Sequence, residues 1–214
     1  MSEQTGLRDR KKLQTRRAIS EAAIALFMAR GFDDVSVTDV AQAADVSRQT
    51  VFNYFPTKED LVLHRFSDHV DELARVVRER PAGAGVTPAL RTWFLTSLAE
   101  HHPTTGLCDA PAFLAFQRMV LATPSLRVRL LDQQSASEET LAAALADTLP
   151  GIGSDDPAPR LAASQIVAVH QTLVLENVRW LAAGGSLAAR HDAAIKAAEV
   201  AFDLLDRGLG RLDG

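Results

Sequence analysis

The 214-residue chain has one cysteine, Cys108, and one tyrosine, Tyr54. A lone cysteine cannot close an intramolecular disulfide, which removes the small disulfide-stapled class. Long apolar runs are missing too. The greasiest stretch, residues 161 to 183, is interrupted by Gln165, His170, Gln171, Glu176, Asn177 and Arg179, too polar for a helix surrounded by lipid. The opening "MSEQTGLRDRKKLQTRR" lacks the charged-then-apolar order of a secretion leader, so the expected compartment is the cytoplasm, with no membrane partner. Alternating runs of Val, Ile and Thr are also absent and aromatics are few, whereas Ala and Leu abound; the expected fold is all-α.

Catalytic signatures are equally scarce. There is no glycine-rich phosphate loop, no H-E-x-x-H and no G-x-S-x-G. The densest group of reactive side chains is His101, His102 and Cys108, interrupted by Pro103 and Gly106. Adjacent histidines do not share a helix face, so no enzyme activity and no cofactor are expected. A metal-dependent enzyme built on these three residues stands as the weaker alternative.

Charge is unevenly spread. The net formal charge is −4, which argues against a general polyanion binder. Residues 1–17, however, carry Arg8, Arg10, Lys11, Lys12, Arg16 and Arg17 against Glu3 and Asp9, whereas residues 81–214 carry 10 basic and 14 acidic side chains. Only the N-terminal end suits a polyanion, and its basic residues read as a sequence-independent clamp.

Ile19, Ala22, Ala23, Leu26 and Phe27 form one apolar stripe of a helix from Arg17 to Arg30, which Gly31 can terminate. Ser36 and Asp39 make a capping-box variant at the start of a short second helix, about residues 37–44. Ser47 can cap a third, about 48–55, after a turn of only three or four residues. Two short helices joined this way are a helix-turn-helix unit. Pro56 stops the third helix and Thr57 can cap a fourth that runs to about residue 80.

The third helix carries the chemistry. Val51 and Phe55, four residues apart, should face the domain core, which leaves Arg48, Gln49 and Asn53 outward. Arg48 suits guanine, and Gln49 or Asn53 suits adenine, on base edges in a major groove. Tyr54 and Lys58, with Ser36 and Thr38 at the start of the second helix, can hold phosphates and so fix register.

The segments "RAISEAAIALFMARGF", "VSVTDVAQAADVS" and "TVFNYFPTKEDL", between Arg17 and Leu61, strongly resemble the N-terminal DNA-binding domain of the TetR family of transcriptional regulators. The resemblance implies an all-helical homodimer whose C-terminal domain binds a small molecule and thereby controls operator binding. It places base reading on Arg48, Gln49, Thr50 and Asn53, and phosphate contacts on Ser36, Thr38, Tyr54 and Lys58. The chain departs from the family pattern at Phe52, often a tyrosine, and at Asp45, often a glycine. Aspartate tolerates a left-handed backbone better than most residues, so the turn should survive.

"PAGAGVTP", residues 81–88, marks the clearest change in composition. The expected organisation is therefore residues 1–60 as the helix-turn-helix domain with its basic arm, 61–80 as a connecting helix, and 81–214 as a larger helical ligand-binding and dimerisation domain. Helices are expected at about 88–101, 109–122, 124–149, 158–183 and 187–209. Ile195, Ala198, Phe202, Leu205 and Leu209 recur at the 3,4 spacing of a helix-pair seam, either a homodimer interface or an intramolecular core stripe. Trp93, Phe113, Phe116, Met119, His170, Asn177 and Trp180 are the candidate lining of a largely apolar effector pocket. The sequence thus points to a ligand-responsive repressor of a palindromic operator, with a helical protein–protein adaptor as the alternative. "ATPSLRVRLLDQQ" and the helix holding Trp180 add a faint likeness to the acyl-CoA-like sensors of the same family.

Overall fold

A computed structural model describes the backbone of residues 2–67, 71–148 and 156–209, and the side chains of residues 10–64, 71–148 and 156–208. Among the described residues every regular element is helical: α1 (Ser2–Arg30), α2 (Val37–Ala43), α3 (Arg48–Tyr54), α4 (Asp60–Ser67), α5 (Glu72–Glu79), α6 (Val86–Ala99), α7 (Pro111–Ala122), α8 (Pro124–Thr148), α9 (Ala158–Ala182) and α10 (Leu187–Leu209), with a three-ten turn at Pro103–Thr105. None of these helices is long and apolar enough to cross a membrane. Three bounds differ from the sequence expectation. Helix α1 runs back through the basic arm to Ser2, because "EQTGLRDRKKLQT" holds no proline and only one glycine to stop it. The helix expected over 58–80 is described as two, α4 and α5. A three-ten turn occupies the loop that holds His102 and Gly106.

The chain divides into two compact units, residues 1–65 with 119–129, and residues 66–118 with 130–214. The first of these units takes in the corner between α7 and α8. In that unit Ile19, Ala23 and Phe27 of α1 are buried with Val40, Val51, Phe55 and Leu61 to Leu63. Ser20, itself buried, shares a 2.8 Å hydrogen bond with His64 Nε2 across α1 and α4. Arg129 at the start of α8 donates to Asp60 at 3.2 Å, which ties the α8 start to the α4 start.

The second unit is built around α6, α9 and α10. Leu90, Phe94 and Leu98 of α6 lie in one core with Ala162, Ala163, Ile166 and Val167 of α9 and with Ala194, Ala198, Phe202 and Leu205 of α10. The rings of Phe94 and Phe202 are 6.0 Å apart. The three-ten turn packs against α9 so closely that a Cβ on Gly106 would lie 2.3 Å from the Val174 carbonyl oxygen. Gly106 also has φ +71°, so both its space and its backbone require glycine.

This core corrects the dimer seam expected on α10. Ala198, Phe202 and Leu205 are buried at 0, 3 and 5% exposure inside their own chain, and Ile195 packs against the same cluster. A residue that α6 already covers is not free to meet a second copy. The intramolecular alternative holds for these four; the Leu209 side chain lies outside the described residues. The large apolar residues that α9 and α10 leave exposed are Leu161, Trp180, Val200 and Leu204.

Candidate nucleic-acid interface

The interface begins with two helix starts. Ser36 has extended backbone, its hydroxyl accepts from the Asp39 N–H at 3.1 Å, and the Asp39 carboxylate accepts from the Ser36 N–H at 2.7 Å and from the Ser36 hydroxyl at 2.6 Å. These bonds hold the Asp39 carboxyl below its usual range, chiefly through the Ser36 hydroxyl. Ser47 repeats the role for α3, accepting from the Thr50 N–H at 3.0 Å while its hydroxyl meets that of Thr50 at 2.8 Å. Between the helices Asp45 takes φ +51°, the left-handed position at which the sequence places aspartate where glycine is common. Such a turn lets α3 start a few residues after α2 ends.

Helix α3 divides by face. Val51 and Phe55 are buried at 0 and 1% exposure, while Arg48, Gln49 and Asn53 are exposed. The outward side chains are organised among themselves. Gln49 Nε2 donates to Asn53 Oδ1 at 3.1 Å, one turn apart, and the Arg48 guanidinium lies 5.4 Å from the centre of the Phe52 ring. An exposed helix bearing a guanidinium and two primary amides offers forked donors and acceptors of the kind that base edges accept. Thr50 is half-buried and bound to Ser47, so it braces the start of α3 before it reads anything.

The candidate phosphate residues fall into two groups. Thr38 is exposed and Tyr54 is half-buried on α3. Ser36 spends its hydroxyl on Asp39, as described. Lys58 is anchored to its own domain: its ammonium lies 4.3 Å from the centre of the Phe32 ring and 3.5 Å from the Asp33 carbonyl oxygen. A lysine near a helix start opposes the helix dipole, and the aromatic face and carbonyl offset that repulsion. Sequence reasoning missed this anchoring because Phe32 and Asp33 lie 26 and 25 residues upstream. It also missed Arg129, whose bond to Asp60 no local pattern announces. Next to α3, Arg16 of α1 sits 5.7 Å over the Phe55 ring, which brings the basic face of α1 alongside the end of that helix.

The effector candidates do not converge. Asn177 is buried, donating to the Thr105 carbonyl at 3.0 Å and accepting from Arg190 Nε at 3.0 Å; it ties the three-ten turn to α9 and α10. Trp180 donates to the Ser186 carbonyl at 3.1 Å and packs on Gly185, which closes the turn between α9 and α10. Phe113 and Phe116 on α7 belong to the second unit and Met119 to the first, and none of the three lines the cleft where Trp93 is found. That cleft, of about 330 Å³, is lined by Glu72, Arg75, Trp93, Thr96, Ser97, Glu100 and His102. His170 lies behind Trp93, with ring centres 5.7 Å apart.

The alternative built on His101, His102 and Cys108 finds no common centre. His101 packs edge-on against His191, with ring centres 5.7 Å apart, while His102 caps the three-ten turn. Among the described residues no three His, Cys, Asp or Glu side chains are grouped to hold a metal.

Comparison with known proteins agrees with the helical layout. Residues 19–64 match the model of the bacterial regulatory proteins of the tetR family, a span that runs from buried Ile19, midway along α1, to His64 of α4. The chain is 29% identical over 201 residues to the HTH-type transcriptional regulator TcmR of Streptomyces glaucescens, covering 92% of this chain and 84% of TcmR. It is 27% identical over 211 residues to the transcriptional regulator MftR of Mycobacterium tuberculosis, covering 95 and 96%. Its fold is shared with a TetR-family regulator of Streptomyces coelicolor, at a TM-score of 0.55 and 20% identity over 89% of this chain and 96% of that one. These likenesses extend past the helix-turn-helix through the second unit, and residues 19–64 match the DNA-binding domain of the tetR family of bacterial regulatory proteins.

Proposed function

We propose that this protein is a ligand-responsive repressor that binds a palindromic operator as a homodimer, in the cytoplasm, and leaves it when a small molecule binds. The observation that carries the reading is α3 itself, seven residues fastened by Val51 and Phe55 and presenting Arg48, Gln49 and Asn53 to solvent. An unfunctional surface helix gains little from such a set, whereas a helix laid in a major groove needs it. Arg48 reads guanine, and Gln49 and Asn53 read adenine through amides that their mutual bond already aligns. Thr38 and Tyr54 meet phosphates directly, Ser36 and Thr50 through the helix starts they hold, and Lys58 from its seat on Phe32.

Residues 1–60 serve as the DNA-binding domain, 61–80 as the connection and 81–214 as the effector-binding and dimerisation domain. The homodimer forms on the outward faces of α9 and α10, through Leu161, Val200 and Leu204, which are 61, 61 and 64% exposed. Large apolar residues on two neighbouring helices favour an isologous four-helix contact. The neighbouring TcmR and MftR are named as regulators, which favours this reading over the adaptor and the enzyme.

The test is selection of bound sequences from a random duplex pool with purified full-length protein at a stated salt concentration. An enriched palindrome is expected, with half-sites about one helical turn or more apart. Failure to enrich any sequence with folded dimer, in the presence and absence of cell extract as a source of co-ligand, would overturn the proposal.

A further inference from the structure

Helix α3 carries two strips of side chains outside its buried one. Gln49 and Asn53 form the first, a pair of primary amides joined by a hydrogen bond of 3.1 Å. Arg48 and Phe52 form the second, one turn apart on the same face, with the guanidinium carbon 5.4 Å from the centre of the phenyl ring. Arg48 is exposed and Phe52 half-buried, so part of the ring reaches solvent beside the charge. A phenyl ring is an unusual neighbour on a face that suits a polyanion. It has neither donor nor acceptor for a phosphate or for the polar part of a base edge.

One feature of the major groove suits such a ring. The oxygens, nitrogens and amino groups of the base edges pair with polar side chains, and the thymine C5-methyl is the apolar group among them. Contact between that methyl and Phe52 removes apolar surface of both from water. The ring also acts on its neighbour. An arginine stacked on an aromatic face keeps its donors free around the edge of the guanidinium plane, so Phe52 leaves the Arg48 fork available for the O6 and N7 of guanine. The 5.4 Å between them is longer than one stacking step of about 3.4 Å, which leaves room for the sideways offset of twisted neighbours, and shorter than two steps of about 6.8 Å.

We infer, resting on the DNA-binding reading given above, that Arg48 and Phe52 act as one reader of a guanine with a thymine in the adjoining base pair. Phe52 determines specificity through the thymine methyl. A tyrosine at this position would add a hydroxyl able to hold a phosphate; phenylalanine keeps only the apolar contact. What the ring recognises is the methyl on C5 and not the rest of the base, so 5-methylcytosine serves in place of thymine. The operator feature selected is therefore a 5-methylpyrimidine beside a guanine, once in each half-site.

The test uses the full-length protein and the palindrome enriched from a random duplex pool. The guanine read by Arg48 is the position at which Arg48→Ala loses discrimination, and a thymine is expected in the pair beside it. Affinity is then measured by fluorescence anisotropy, at one salt concentration, for duplexes that differ at that position only in the methyl: thymine against uracil, and 5-methylcytosine against cytosine. Loss of the methyl should weaken binding about fourfold per half-site, the equivalent of one buried carbon, and about fifteenfold when both half-sites are changed. Phe52→Ala should bind methylated and unmethylated duplexes equally, whereas Phe52→Tyr, which keeps the ring, should retain the difference; circular dichroism checks that both variants fold. The duplex comparison with unaltered protein decides the matter even if neither does. Full discrimination by Arg48→Ala, absence of a thymine beside the guanine, equal affinity of the unaltered protein for thymine and uracil, or a methyl effect that survives Phe52→Ala would each overturn the inference and leave the DNA-binding reading intact. Failure to enrich any palindrome would overturn both.

Discussion

Two residues on α10, Phe202 and Leu204, separate the chain's own core from its proposed interface with a second copy. Phe202 is 3% exposed and meets Phe94 of α6 at 6.0 Å, whereas Leu204 is 64% exposed. Replacing Phe202 by Ala removes a buried ring from a core that α6 and α9 cannot collapse to fill, at a cost of about 3–5 kcal/mol. Replacing Leu204 by Asp touches no buried surface and should change the intrinsic stability of the chain by no more than about 0.5 kcal/mol. In the dimer the order reverses, since Leu204→Asp places a charge in the proposed apolar contact. The assay is urea unfolding at several protein concentrations, together with light scattering to follow dissociation. For Phe202→Ala the midpoint should fall by the same amount at every concentration; for Leu204→Asp the concentration dependence itself should shrink and the dimer should dissociate. If Phe202→Ala separates the subunits without lowering monomer stability, and Leu204→Asp does neither, the packing argument is wrong and the α10 seam faces the partner after all.

Four further outcomes follow from named contacts. Arg48→Ala should reduce discrimination at one operator position by about 1–3 kcal/mol while random-sequence binding changes little; Lys58→Ala should weaken all sequences and lower the salt slope by about 1, so equal losses on operator and random duplex in both variants would refute the division. Asp45→Gly should raise the unfolding temperature, since the left-handed backbone at φ +51° costs a side chain about 1 kcal/mol, and a lowered melting point would argue against that turn. His170 has its pKa lowered from 6.5 to about 4 by burial. The unfolded chain therefore binds the proton more readily, so this contribution is complete above pH 6.5 and is lost as pH falls towards 4, up to about 3 kcal/mol in all; His170→Phe should flatten the stability profile over that window. The Asp39 carboxyl is lowered instead, so its contribution to the α2 cap is present above the ordinary carboxylate range and lost in stronger acid, and Asp39→Asn should abolish that acid-dependent part of unfolding as followed by circular dichroism.

The division between what was readable and what was not follows the reach of each interaction. Ser36 with Asp39, Ser47 with Thr50 and Thr57 with Asp60 lie three residues apart, and their bonds form within single turns. Local signals of this kind set the helix-turn-helix, the left-handed Asp45 and the inward placement of Val51 and Phe55, because one turn of helix fixes which side chains share a face. The helices of the second unit were also close to their expected bounds, since Pro, Gly and the apolar period act locally. Tertiary packing decided the rest. A 3,4 stripe on α10 is the same pattern whether α6 or a second copy covers it, and only the folded core showed that α6 does. Asn177 and Trp180 looked like pocket residues because polar or bulky groups in an apolar helix are unusual; their partners at Thr105, Arg190 and Ser186 gave them structural work. Lys58 on Phe32, Arg129 on Asp60 and the cleft beside Trp93 join residues from separate helices. The sequence by itself determined the helices, their caps and the face that α3 leaves exposed, all properties of neighbours within about four residues. Which apolar faces were spent in the core and which stayed free for a partner or an effector was decided by long-range packing, where the energy depends on distances that no local period encodes.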